Sequence, residues 1–178
     1  MLATIIPLTS LFTGVALLLL GSGLLGTLLG VRGSLEGFGD QVLGLVMSAY
    51  FLGFFLGTFL APPVIRRMGH IRAFSALAAV AASATLMMAI IIDVTLWTAM
   101  RFISGFCFAG LFTVMESWLN SGVSNDNRAR VLSLYRVIDI GAVTGAQFLI
   151  PAIGVEGFAI FAVMAMMIAL SLVPVSLG

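Results

Sequence analysis

Four charged side chains stand inside apolar stretches of this 178-residue chain: Arg101, Glu116, Arg136 and Asp139. In a membrane-spanning helix such a group costs about 2.5–3.5 kcal/mol near mid-span, so each must pair with another charge or face protein or a wet cavity. A carboxylate in that setting can take up and release a proton. Arg101, Gly105, Phe108, Phe112 and Glu116 follow one another by four, three, four and four residues, which places them on one helical stripe. Glu116 and Arg136 fall at similar depth if their helices form an antiparallel hairpin, so we expect Glu116 to pair with Arg136 or with the arginines between Arg66 and Arg72. Arg136 and Asp139, three residues apart, could also neutralise each other. The deeper Arg101 and Asp139 point to a cavity or gate, whereas the shallow Glu116 and Arg136 read equally well as static staples or as snorkelling interfacial groups. Gln147, Thr144 and Ser104 could line a path, although such residues more often bond helix to helix. The lone His70 sits among arginines without carboxylates or thiols, which argues against a relay or metal ligand, and the single Cys107 reads as a small buried apolar residue.

The elements that carry these residues follow from composition. With 61% hydrophobic and 8% charged residues and a mean hydropathy of +1.22, the chain holds more apolar surface than one soluble core could hide. No charge interrupts Pro7 to Val31 or Ala73 to Ile92, and a bilayer core needs about 20 apolar residues per helix. We therefore expect an all-α polytopic bundle, one unit over residues 1–178, with spans at about 8–31, 42–62, 73–92, 96–118, 131–152 and 157–176. A β-barrel would require alternating strands, which are not visible. The first stretch lacks a basic leader and is too long for a secretory h-region, so it reads as a retained helix. Net charge is +1 and all basic residues are arginines in short clusters, leaving no field for nucleic acid; no cofactor and no metal site are expected.

Arg66, Arg67, Arg72, Arg128 and Arg130 gather on one side, against Arg32 on the other with Glu36, Asp40, Asp93 and Glu156. Positive charge favours the cytoplasm, so both arginine clusters and both termini are expected inside. Trp97 and Trp118, 21 residues apart, would lie about 31 Å apart on one helix, at its two membrane interfaces. Small pairs four apart, Gly26/Gly30, Gly53/Gly57, Gly105/Ala109 and Gly141/Gly145, are candidate helix-packing grooves. Pro62-Pro63 is expected to end the second span, and Pro151 and Pro174 lie near the ends of the fifth and sixth.

In this order of features the whole chain resembles the N-terminal half of the major facilitator superfamily. The stretch Arg66-Arg67-Met68-Gly69-His70-Ile71-Arg72 keeps Arg67, Gly69 and Arg72 of that family's cytoplasmic gating motif, with Pro62 and Arg66 where Gly and Asp are usual. Arg101-x-x-x-Gly105-x-x-x-Ala109 is similar to its span-four motif, whose arginine is implicated in proton coupling. Gly141-x-x-x-Gly145 continues as Ala146-Gln147, without the Gly-Pro of drug antiporters. A closer likeness, to the YcaD-like bacterial branch, rests on the Arg66–Arg72 stretch, on Glu116-Ser117-Trp118-Leu119-Asn120 and on Arg128-x-Arg130. The resemblance implies a bacterial inner-membrane transporter moving a small-molecule substrate, with proton coupling through Glu116 and Asp139 and a path including Arg101, Arg136 and Gln147. Because the family has two six-span halves, it also implies a missing C-terminal half or a second copy as partner within the lipid bilayer. The competing class is a structural or assembly subunit. An intramembrane protease would need a serine and histidine facing each other inside the bundle, and the only histidine, His70, is outside the predicted spans.

Overall fold

The computed structural model of the chain describes the backbone of residues 2–121 and 125–177 and the side chains of residues 9–119 and 128–176. Among these the regular structure is all helical: α1 (Leu2–Ser22), α2 (Leu25–Leu35), α3 (Asp40–Met68), α4 (His70–Ile90), α5 (Val94–Ser121), α6 (Asn125–Gln147), α7 (Leu149–Ile153), α8 (Ala159–Leu170) and α9 (Leu172–Leu177). Six stretches are long and apolar enough to cross a membrane: Thr9–Leu35, Asp40–Met68, His70–Ile90, Val94–Leu119, Arg128–Ile153 and Ala159–Ser176. The chain is an all-α, polytopic membrane protein, as its composition requires.

Three spans are built from two helices each, and proline chemistry explains two of the breaks. Proline lacks an N–H and its ring crowds the carbonyl four residues before it. Pro151 acts in this way on Gln147, where α6 ends, and Pro174 acts on Leu170, where α8 ends. The third break, at Gly23 and Leu24 between α1 and α2, has no proline beside it. There the backbone of the first span lies against the fifth, since a Cβ on Gly23 would come within 3.0 Å of the Val143 Cα.

Pro62-Pro63 does not end the second span. Helix α3 runs through both prolines to Met68 and carries Arg66 and Arg67 in its last turn. Ala61 and Ile65 on either side of the pair are buried, at 2% and 3% exposure, so tertiary packing outweighs the two missing donors. The expected loop from Arg66 to Arg72 consequently shrinks to one residue. Gly69, at φ 84 and ψ 157, closes α3 by donating to the Ile65 carbonyl at 2.8 Å and then opens α4. Backbone in that region is essentially restricted to glycine. The second arginine cluster is helical too: Arg128 and Arg130 are exposed in the first turns of α6, while the side chains of Asn120, Asn125, Asp126 and Asn127 lie outside the described residues.

Helices α3 and α5 share the largest interface, α4 packs on α5 and α8, and α1 packs on α6 and α8. The α3–α5 contact uses two of the predicted small-residue pairs. A Cβ on Gly53 would collide with the Phe102 carbonyl oxygen, one on Gly105 with the Tyr50 carbonyl oxygen, and one on Gly57 would lie 2.7 Å from the Ala109 Cβ. The other two pairs do not make such grooves: nothing lies within 4 Å of a Cβ at Gly26 or Gly141. Gly14 and Gly21 do, seating α1 against the backbone of Ser171 and Met164. Buried side chains form two apolar clusters, one around Val15, Leu18, Phe74, Leu111 and Met115, the other around Leu25, Leu28, Met88, Trp97 and Phe161.

Candidate functional site

Helix α5 passes through both clusters, and its two buried polar residues fall between them. Arg101 is 6% exposed and Ser104 is fully buried, one turn apart, after Trp97 in one cluster and before Cys107 and Phe108 in the other. The close α3–α5 approach at Gly105 brings Tyr50 to this level, and its ring lies under the Arg101 guanidinium with 4.3 Å from centroid to Cζ. No carboxylate pairs with Arg101 among the described residues, and neither its Nε nor the Ser104 hydroxyl has a hydrogen-bond partner there. An unsatisfied buried donor costs about 1–3 kcal/mol, more when charged. A desolvated cation over an aromatic face recovers about 2 kcal/mol, but the ring leaves the in-plane N–H edges unused.

Beyond Tyr50 the stripe continues as aromatic rings. Tyr50 contacts Phe54 and Phe108 at 6.1 and 6.5 Å, and Phe112 closes the cycle with Phe54 at 6.1 Å and Phe108 at 6.4 Å. Phe108 is buried, whereas Tyr50, Phe54 and Phe112 are half-buried. The spacing of the sequence placed Arg101, Phe108 and Phe112 on this stripe. It gave no sign of Tyr50, which reaches it only through the α3–α5 packing.

Glu116, at the other end of the stripe, is exposed and forms no ion pair with Arg136 or with Arg66, Arg67 or Arg72 among the described residues. The expected Glu116 pairing is therefore corrected. Arg136 bonds Asp139 on its own helix, Nη1 to Oδ2 at 2.8 Å, because residues three apart share a face and need no second helix to meet. Arg136 is largely exposed and Asp139 half-buried. Gln147, at the end of α6, donates from Nε2 to the Gly23 carbonyl at 3.1 Å and so ties the break in the first span to the break in the fifth. Arg66, Arg67 and Arg72 are exposed around Gly69. His70 stacks on Trp118 at 5.9 Å and 27°, and Phe74 lies beyond at 6.4 Å.

The two tryptophans do not serve as a matched pair of interfacial anchors. Trp97 is fully buried, meets Phe38 edge-on at 5.3 Å, and donates its indole N–H to the carbonyls of Met88 at 3.0 Å and Ile91 at 3.2 Å. These carbonyls belong to the C-terminal end of α4 and lack helical donors. On the same side, Arg32 bonds Glu36 at 2.6 Å and the Val155 carbonyl at 3.3 Å, tying α2 to the connection before α8.

No family profile matches the chain, and no solved structure matches it. Curated relatives do. A protein of Escherichia fergusonii named MFS-type transporter YcaD is 31% identical over 150 residues, covering 84% of this chain, and proteins of the same name from Escherichia coli strains S88 and ED1a are 29% identical over the same length. The matched region spans 39% of the length of those relatives. Similarity over most of the chain, together with six apolar helices of spanning length, places it in the major facilitator superfamily, alongside the YcaD-type transporters.

Proposed function

We propose that the chain forms the N-terminal six-helix bundle of a secondary transporter in the bacterial cytoplasmic membrane, moving a small solute with coupling to protons. The observation that carries this reading is a guanidinium held at 6% exposure inside a spanning helix without a counter-ion among the described residues, in a chain whose relatives are named transporters. A structural helix gains nothing from such a group. Transport by alternating access requires two bundles to rock about a site between them, so the partner is a C-terminal half or a second copy.

Arg101 faces the solute path in this reading. Asp139 takes the proton, which breaks its bond to Arg136 and leaves that guanidinium free to pair elsewhere, and Glu116 is the second titratable carboxylate on the path. Gln147 positions the broken segments of the first and fifth spans. Arg66, Arg67, Gly69 and Arg72 form the gate on the cytoplasmic side, where the arginine excess puts them along with both termini. The test is proton-driven flux in vesicles containing the full-length transporter. Asp139→Asn and Arg101→Gln should each lower it at least about tenfold with unchanged membrane insertion, and full flux in both variants would overturn the assignment.

The mostly exposed fifth span also suits an assembly subunit whose helices dock on a larger complex. Stoichiometric copurification of an unrelated membrane protein, without flux, would favour that reading.

A further inference from the structure

We propose that Arg101, Ser104 and the rings of Tyr50, Phe54 and Phe112 form a binding site for an amphiphilic organic anion, with its carboxylate on Arg101 and its apolar body on the rings. The inference rests on reading the chain as a transporter half and names the substrate class of that transporter.

Two donors one turn apart on α5, at 6% and 0% exposure, lack partners. Both point to an acceptor supplied from outside the described chain. Tyr50 occupies one face of the guanidinium, so the remaining capacity is in its plane, where paired N–H groups match the two oxygens of a carboxylate. Ser104 adds a third donor on the same side of the helix. The neighbouring surface decides what the anion is attached to. The cycle of Tyr50, Phe54, Phe112 and Phe108 continues from the cation along the stripe, and three of its four rings are only partly covered. A bare inorganic anion would leave those rings without a partner, whereas an aryl or alkyl acid covers them and gains apolar burial. A cationic solute is disfavoured, because the nearest carboxylate on the stripe, Glu116, is fifteen residues away, about 22 Å along the helix.

The experiment measures binding of 4-phenylbutyrate and of its uncharged amide to the detergent-purified full-length protein by calorimetry. The acid should bind at least about tenfold more tightly than the amide. Arg101→Lys, which keeps the charge but not the paired geometry, should weaken the acid by about tenfold. Arg101→Gln should abolish the preference for the acid. Equal affinity for acid and amide overturns the proposal, as does an undiminished preference in Arg101→Gln. Absence of binding by either compound overturns it too, and would assign the counter-ion to an acidic side chain of the second bundle. The comparison on unmodified protein needs no variant to fold. Proteoliposome flux separates this inference from the reading beneath it: proton-driven flux of other solutes without acid binding sinks the anion site alone, and acid binding without flux sinks the transporter reading alone.

Discussion

Trp97 and Gly69 show how much of the bundle hangs on single residues. The indole N–H of Trp97 is shared between the carbonyls of Met88 and Ile91 at the frayed end of α4. Trp97→Phe keeps the aromatic packing on Phe38 but removes that donor, so stability should fall by about 1–2 kcal/mol, read from reversible unfolding in mixed micelles. An unchanged midpoint would mean that water satisfies those carbonyls. Gly69 adopts φ 84 with open space around it, so its requirement is conformational and not steric. Gly69→Ala should cost about 1–3 kcal/mol, and the same measurement would show no loss if the turn could relax to negative φ.

Between helices the decisive quantity is how closely backbones approach. Gly53 and Gly105 admit no Cβ because each faces a carbonyl oxygen of the opposite helix, while Gly141 faces nothing. Gly53→Ala should therefore separate α3 from α5 and lower the thermal midpoint strongly, with a cost at or above the roughly 1–3 kcal/mol typical of overpacking. Gly141→Ala should be neutral or slightly stabilising, since alanine is the better helix former by about 1 kcal/mol. Equal effects at the two sites would contradict the α3–α5 seam. Because Tyr50 is brought to Arg101 by that seam, Gly53→Ala should also impair anion binding without touching the guanidinium itself.

For the molecule as a whole, orientation is the testable claim. The chain has one cysteine, Cys107, which is buried, so single cysteines placed elsewhere report without background. Cysteines at Asp93 and Glu156 should react with an impermeant maleimide added outside intact cells, and cysteines at Arg66 and Arg128 should react only after permeabilisation. The reverse pattern would invert the topology and place the Arg66–Arg72 gate on the outer face.

Hydropathy and length alone determined that the chain is helical, that it lies in lipid and that it crosses six times, because unpaired backbone is intolerable in hydrocarbon and leaves few alternatives. Local spacing was enough to put Arg101, Phe108, Phe112 and Glu116 on one stripe and to make Arg136 and Asp139 neighbours, since both depend only on helical periodicity. Tertiary structure decided the rest. Tyr50 reaches Arg101, Gln147 reaches Gly23, and Trp97 turns inward because each contact joins segments that only packing brings together. The same packing carries α3 through Pro62-Pro63 and leaves Glu116 without the arginine partner that depth alone had suggested. Periodicity fixes which way a side chain points on its own helix, but the identity of the group opposite depends on how the helices are rotated and spaced, and that is set by the summed contacts of the whole bundle.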